Sequence, residues 1–326
     1  MLTLYTKEEQ IRIKKSIKQL LEMLMQTEDE DIWMILESAR DEEVKFFLGQ
    51  YETAFHYLFN DEDEALQEAG AVALCLNDLP QTFEWIAEHW GKNWFSFFVT
   101  RRNPKEVIAH LSTLCYLQAE EKRYLFRYYD PVTFTSWIKG LKEIKRVDEA
   151  LGVFSEVYVE SPLPHILTEY TMEHHGYSQH DIDLKENLQG FVRPLPKETA
   201  ASPLDTGVWQ MGQAEYASLA PVSLNAFKIK LCKELAKRYD LLASHTLTEV
   251  YVIINTQTAR ALKHGITQKH LIAQYVTMVF AYPAFWERYQ ENIEKVLSAE
   301  TWNATDKIET LLVAAEKEKE NAHAIP

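Results

Sequence analysis

Apolar positions in the first two thirds of the chain follow two alternating patterns, one typical of strands and one typical of helices. Short apolar runs predict strands, and runs with an apolar residue every three or four positions predict helices. The runs that predict strands are Asp31–Ala39, Ala71–Leu76, Trp94–Val99, Phe154–Val159 and Leu167–Met172. The runs that predict helices are Lys7–Met25, Asp41–Phe59, Pro80–Trp90 and Pro104–Ser112. Their alternation predicts an α/β lobe in which a mixed sheet is covered by helices.

The segment Lys122–Trp137 reads KRYLFRYYDPVTFTSW and predicts a strand that ends abruptly at a helix. Its aromatic and apolar residues alternate as in a strand buried on both faces, with Arg127 at an apolar position. Because a buried arginine needs a partner of opposite charge, we expect Arg127 to pair with Asp130. Pro131 disfavours the helical conformation at Asp130 and fits the first turn of a helix, so Asp130 is expected to cap that helix.

Arg127 and Asp130 lie among aromatic residues, and this group forms the candidate site. Two interpretations remain open. A buried ion pair is typical of a structural element, because removing one partner leaves an uncompensated charge at a cost of about 3–5 kcal/mol. Aromatic side chains are also enriched in protein-binding surfaces. The candidate residues for either role are Arg127, Tyr128, Tyr129, Asp130, Pro131, Trp137 and Trp94.

The last third of the chain carries a helical pattern. The predicted helices are Ser223–Tyr239, Thr248–Lys263, one from Thr267 to Pro283, Phe285–Leu297 and Thr305–Lys319. Short connections predict antiparallel neighbours in an all-α helical bundle. Prolines between Gly190 and Gly207, beside Ala, Ser and Thr, predict an extended linker. The predicted organisation is an N-terminal helix at 1–28, an α/β lobe at 29–189, a linker at 190–208 and a helical lobe at 209–326.

The corner FRYYDP at Phe126–Pro131 resembles a signature of the adaptor and chaperone proteins of bacterial type VI secretion. The helix and hairpin before the corner resemble the same family, as do HGIT at His264–Thr267 and the aromatic-rich YVTMVFAYPAF that follows. The resemblance implies a mixed α/β lobe followed by a helical lobe. It also implies a non-enzymatic protein of the bacterial cytoplasm. Such a protein binds the N-terminal segment of a secreted toxic effector and helps to load that effector onto the spike protein of the secretion apparatus.

Composition and charge narrow the classes of partner. The 326 residues, 46% of them hydrophobic, suffice for two domains that each have a core. The net charge of −15 falls entirely before residue 209, because acidic and basic residues are equal in number from there on. An acidic surface repels nucleic acid and anionic membranes, so neither is expected as a partner. The first residues lack a secretory-signal pattern and no apolar run reaches membrane length, which predicts a cytoplasmic protein.

Residue patterns for catalysis or cofactor binding are sparse. With only 10 glycines, the sequence contains neither a phosphate-binding loop nor a GxSxG motif, so no cofactor and no enzymatic activity are expected. One alternative is a metal-dependent hydrolase that uses the predicted loop His174–Asp183. Its candidate ligands are His174, His175, His180 and Asp181. A solvated loop is the competing interpretation, since no further ligand follows at a fixed spacing.

Overall fold

The computed structural model describes residues 2–27, 29–51, 53–59, 66–67, 70–119, 122–173, 176–186, 188, 193, 203–204 and 207–323. The chain divides into two compact units, Met1–Val222 and Ser223–Pro326. The first unit combines sheets with helices and the second is helical, which confirms the predicted fold class. The second unit begins at Ser223, whereas the helical lobe was predicted to begin at residue 209.

In the part of the first unit that the structure describes, seven strands form the main sheet, in the order β2-β3-β1-β4-β7-β8-β9. These strands are β1 (Asp31–Glu37), β2 (Phe55–Tyr57), β3 (Ala71–Cys75), β4 (Ser96–Thr100), β7 (Glu156–Glu160), β8 (Ile166–Glu173) and β9 (Gly176–Asp183). Every neighbouring pair in this sheet is antiparallel. β4 lies at the centre, and all five of its residues are buried.

Helices cover both faces of the main sheet. Among the described residues, the helices of this unit include α1 (Lys7–Leu24), α2 (Glu42–Gly49), α3 (Thr82–His89), α4 (Pro104–Leu114), α5 (Pro131–Glu143), α6 (Val147–Leu151) and α7 (Gln213–Leu219). Because side chains alternate along a strand, Phe97 and Phe98 of β4 enter two different cores. The core that contains Phe97 includes residues of α1, α2 and α3, and the core that contains Phe98 includes residues of α4, α5 and α6.

Several helix boundaries follow from local capping. Thr6 and Glu9 form a reciprocal capping box at the start of α1, and Asn103 accepts a hydrogen bond from the backbone N–H of Glu106 at the start of α4. The predicted helix Asp41–Phe59 is wrong in its second half. α2 ends at Gly49, and the backbone from Phe55 pairs with β3 as an edge strand.

A second sheet has, within the described ranges, three strands in the order β10-β5-β6, with β5 at Tyr116–Ala119, β6 at Lys122–Leu125 and β10 at Trp209–Gln210. β10 pairs with β5 in parallel and β6 pairs with β5 antiparallel, so the mixed strand directions occur in this small sheet. The predicted strand buried on both faces is wrong, because β6 is an exposed edge strand that ends at Leu125. Burial begins only after the strand, at Phe126.

The predicted linker at 190–208 lies mostly outside the described residues. Two of its described residues bind other parts of the first unit, to which this segment belongs. The guanidinium of Arg193 pairs with Glu30 and, at 2.9 Å, with Glu156. The backbone N–H of Leu204 donates to Nδ1 of His110 at 3.0 Å. At these two positions the segment is therefore attached to the first unit.

The second unit consists of helices joined by short connections. They are α8 (Val222–Arg238), α9 (Leu247–Lys263), α10 (Lys269–Ala281), α11 (Pro283–Arg288), α12 (Gln290–Leu297) and α13 (Ala304–His323). The predicted helix Phe285–Leu297 is two helices, α11 and α12, and the last helix is capped by Asn303 instead of Thr305. Among the described residues, no helix has both the length and the apolar character required to cross a membrane.

Candidate functional site

The corner between Phe126 and α5 has the helix cap that the sequence predicts. Oδ1 of Asp130 accepts hydrogen bonds from the backbone N–H groups of Val132 and Thr133, each at 3.1 Å. Pro131 is the first residue of α5, where its missing N–H leaves no hydrogen bond unmade. The sharp entry into α5 is therefore fixed by local chemistry.

The predicted pair of Arg127 with Asp130 is wrong, because each residue has a different partner. Oδ2 of Asp130 accepts from Nη1 of Arg40 at 2.8 Å, and Arg127 pairs with Glu37. Nη1 of Arg40 also lies 3.6 Å from Glu37, so the four side chains form one network, the corner network. The Arg127 side chain is 51% exposed, which means that it does not occupy a buried strand position.

Arg40 connects three segments of the first unit. It lies in a 3-10 turn, Ser38–Arg40, that follows β1 directly. Besides Asp130 and Glu37, it donates from Nη2 to the backbone carbonyl of Asn93 at 2.9 Å. The turn after β1, the loop before β4 and the start of α5 are thus joined by one guanidinium group. Nothing in the local sequence marks Arg40, because its two hydrogen-bond partners, Asp130 and Asn93, are distant along the chain.

The loop that carries Trp94 is positioned by a buried carboxylate. Glu160 of β7 accepts hydrogen bonds from the backbone N–H groups of Gly91 at 2.6 Å and Trp94 at 2.8 Å. Asn93 has a φ of 63°, in the left-handed region, which lets the loop turn tightly around the carboxylate. Burial raises the pKa of Glu160 above its ordinary value. The backbone donors offset the cost of burying this carboxylate.

The space inside the corner is too small for a substrate. Leu36, Glu37, Arg40, Val44, Trp94 and Tyr129 enclose a cavity of only about 10 Å³. That volume is at the lower limit for a single water molecule. Burial, together with the nearby Glu37 carboxylate, raises the pKa of Tyr129, so its phenol stays protonated at neutral pH. The corner network is a packed structural element with one half-exposed charge, Arg127.

Tyr128 and Trp137 lie in the hydrophobic core. The Tyr128 hydroxyl donates to the carbonyl of Leu111 at 3.2 Å, and the Trp137 ring packs edge-on against Trp209 with ring centres 5.6 Å apart. Both side chains have 0% of their surface exposed. They support the corner from the hydrophobic core and do not reach the surface of the first unit.

A buried glutamate that sequence reasoning missed completes this core. Glu215 of α7 accepts hydrogen bonds from the indole N–H of Trp209, the backbone N–H of Gly212 and Nη1 of Arg146, each at 2.8 Å. The indole N–H of Trp137 lies 3.4 Å from the same carboxylate. The four donors attach β10 and α7 to α5. The only local signal for this site is the Gly-x-x-Glu spacing that begins α7.

A row of stacked aromatic side chains leads from Trp94 to the surface, and we call it the aromatic row. Ring centres are 3.9 Å apart between Phe47 and Trp85, 4.3 Å between Trp85 and His89, and 5.8 Å between His89 and Trp94. The ammonium group of Lys92 lies 4.3 Å from the centre of the Trp94 ring. Trp94 therefore contacts both the corner network and this row.

Three members of the aromatic row, Phe47, Trp85 and His89, line a surface cavity between α2 and α3, which we call the Phe46 pocket. The cavity measures about 410 Å³, and its lining residues are Glu42, Glu43, Phe46, Phe47, Gln50, Trp85 and His89. The Phe46 side chain is 73% exposed. Sequence reasoning missed this pocket, because it combines residues of two helices that are separate in the sequence.

The candidate metal ligands are not brought together in the part of the chain that the structure describes. His174 and His175 lie outside the described residues. His180 and Asp181 are consecutive in the edge strand β9, not in a loop, so their side chains point to opposite faces. Oδ1 of Asp181 accepts from the Thr168 hydroxyl at 2.9 Å. Among the described residues, no group of three or more His, Cys, Asp or Glu could hold a metal ion.

Comparisons with known proteins add one finding. No curated protein and no solved structure matches the chain. A family model does match part of the first unit, and the matched residues include the corner network, the aromatic row and the Phe46 pocket. Residues 32–147 are similar to the family described as Domain of unknown function (DUF4123), a domain known in effector adaptor proteins of type VI secretion.

Proposed function

We propose that this protein is a non-enzymatic adaptor and chaperone of a bacterial type VI secretion system. It binds an effector in the cytoplasm through the effector's N-terminal segment, keeps that effector soluble, and helps to load it onto the spike protein. The observation that carries the proposal is the family match over residues 32–147, because the matched domain occurs in such adaptors.

The chemistry of the corner supports a binding role over a catalytic one. The charged groups of Arg40 and Asp130 form hydrogen bonds with each other and with backbone groups. Their enclosed cavity of about 10 Å³ offers no space for a reacting molecule. A rigid element of this kind can fix the position of neighbouring surface residues without entering a reaction.

The surface beside the corner supports binding of a polypeptide. The Phe46 pocket combines stacked aromatic side chains with a polar rim, a composition that is typical of the central part of protein–protein interfaces. An adaptor must cover apolar effector surface until delivery, and a surface of this composition is suited to that task.

Co-expression tests the proposal. The chain is produced with the effector encoded beside its gene, and the soluble fraction is separated on a sizing column. We expect the two proteins to elute together and the soluble yield of the effector to fall when the chain is left out. A matched control is an effector from a different secretion cluster, which should not co-elute. Separate elution, with unchanged effector solubility, would contradict the proposal.

A second test addresses loading. Deleting the gene should abolish secretion of its neighbouring effector, while secretion of effectors that belong to other spike proteins continues. Loss of all type VI secretion would instead indicate a role in the apparatus itself and would contradict the adaptor assignment.

A further inference from the structure

We propose that the Phe46 pocket binds an apolar side chain of an amphipathic helix in the effector, with a lysine or arginine of that helix paired to Glu42. This inference deepens the proposed function, on which it rests for the identity of the partner. It assigns the docking position to α2 and α3 of the first unit.

The spacing of the lining residues suits a helix as the occupant. Glu42, Phe46 and Gln50 are four residues apart and lie along one face of α2 and its C-cap. Trp85 and His89 have the same spacing on α3. Two helices with side chains at this spacing form a groove, and a third helix presents apolar residues at the same period.

The floor of the pocket suits an apolar side chain. The Phe47 and Trp85 rings stack nearly parallel, 15° apart, and both line the pocket. Nδ1 of His89 donates to the carbonyl of Trp85 at 2.7 Å, and its Nε2 lies 3.4 Å from Glu43. Because both ring nitrogens already have partners, the floor favours burial of apolar atoms. A volume of about 410 Å³ lies within the range of ordinary binding pockets.

The rim of the pocket favours a basic partner. Its acidic lining residues are Glu42 and Glu43, in the first turn of α2. Glu43 pairs with Lys92, so the charge on Glu42 is the one that a partner would meet beside Phe46. The net charge of −15 lies entirely before residue 209, which adds a long-range attraction for a basic segment.

The exposure of Phe46 is the reason to expect an occupant. A phenylalanine that is 73% exposed, next to a cavity floored by two more aromatic rings, makes a continuous apolar patch with a polar rim. Patches of this kind mark sites of protein interaction. A partner helix would cover Phe46 and Trp85 together.

A peptide probe tests the pocket without the effector. The probe is a fluorescein-labelled amphipathic peptide of leucine and lysine, about 18 residues or five helical turns long. Two control peptides have the same length: one has glutamate in place of lysine, and one has the leucines and lysines in an order without helical period. Binding to the full chain is measured by fluorescence anisotropy. We expect the leucine–lysine helix to bind about tenfold more tightly than either control.

Substitutions then locate the bound peptide. Phe46→Ala should weaken binding about tenfold and Glu42→Lys about threefold, whereas Ile11→Ala should leave binding unchanged. Ile11 is a matched control because it is also an exposed apolar residue on a helix of the first unit, at 66% exposure. Circular dichroism of each variant verifies the fold. Equal binding by the wild type and Phe46→Ala, or equal binding of all three peptides, would overturn the proposed pocket.

The effector provides an independent readout. If the neighbouring effector co-elutes equally with the wild type and with Phe46→Glu, the pocket assignment fails while the adaptor function stands. If the peptide binds at Phe46 but no effector co-elutes with the wild type, the adaptor function fails while the pocket stands. Loss of effector binding in Phe46→Glu but not in Ile11→Glu supports both.

Discussion

Arg40 donates to Asp130 across 2.8 Å, although the two residues are 90 positions apart in the chain. The contact joins the end of β1 to the start of α5, and it gives Asp130 two separate functions. One carboxylate oxygen caps α5 and the other binds the guanidinium group. Arg40, and not Arg127, is therefore the cation on which the corner depends.

Replacing Arg40 should destabilise the first unit more than replacing Arg127. Arg40→Met leaves the Asp130 and Glu37 carboxylates without their shared partner in a partly buried site, so we expect a loss of about 2–3 kcal/mol in the free energy of unfolding. Arg127→Met removes a half-exposed ion pair and should lower the free energy of unfolding by less than about 1 kcal/mol. Urea unfolding followed by tryptophan fluorescence measures both, and an equal or reversed order would show that the corner network is wrongly assigned.

Of the two carboxylates that bind Arg146, Glu215 should contribute more to the stability of the first unit than Glu149. Glu215→Ala leaves the buried indole N–H groups of Trp137 and Trp209 without their acceptor and removes the buried partner of Arg146, so we expect a loss of about 3–5 kcal/mol in unfolding free energy. Glu149 binds the same guanidinium from an exposed position, and Glu149→Ala should lose less than about 1 kcal/mol. Similar losses for the two variants would contradict the structural importance given to the buried carboxylate.

His110 should make the first unit less stable in mild acid. Burial lowers its pKa from the ordinary 6.5 to about 4, while its Nε2–H donates to Ala150 and its Nδ1 accepts from Leu204. Because the folded-state pKa lies below the unfolded value, the stabilisation is complete above pH 6.5 and is lost as the pH falls towards 4. The full loss is about 3 kcal/mol.

Thermal midpoints measured between pH 7 and pH 4 test this dependence. His110→Gln removes the titrating group, so the thermal midpoint of this variant should depend less on pH. The substitution also lowers the midpoint at pH 7. His180→Gln is the matched control, since His180 is exposed, and it should leave the profile unchanged. A profile that is equally steep in His110→Gln would assign the acid sensitivity to other groups.

Two glycine-to-alanine substitutions should have opposite effects on the stability of the first unit. A Cβ at Gly140 of α5 would lie 2.6 Å from Cβ of Ser218 on α7, so Gly140→Ala should destabilise the unit by about 1–3 kcal/mol. A Cβ at Gly49 of α2 meets no other atom within 4 Å, and Gly49→Ala should stabilise it by about 0.4–1 kcal/mol. Ser218→Gly added to Gly140→Ala should restore part of the lost stability. Failure of this rescue would mean that α5 and α7 do not pack as described.

Features that depend on neighbours in sequence were predictable. The Asp130 cap, the capping box at Thr6 and the cap at Asn103 each involve residues within three positions, and the structure contains all three. The buried strands β1, β3 and β4 were predicted for the same reason, since a short apolar run allows few other structures.

Features that depend on distant partners were not predictable in the same way. Arg127 has acidic residues near it in both sequence directions, and only the fold brings Glu37 to it. The polar run SQHD favours a loop over the strand β9 in the sequence, because an edge strand needs an apolar pattern on one face only. The Phe46 pocket combines residues of two helices that are separated in the sequence by β2 and β3.

The attachment of β10 and α7 through Glu215 decides where the chain can be cut for experiments on its parts. A fragment that stops at residue 208 loses the indole of Trp209 and the carboxylate of Glu215, so Trp137 would face water and the fragment should aggregate. A fragment that stops after Val222 retains both groups and should be the shortest version of the first unit suitable for crystallisation or isotope labelling.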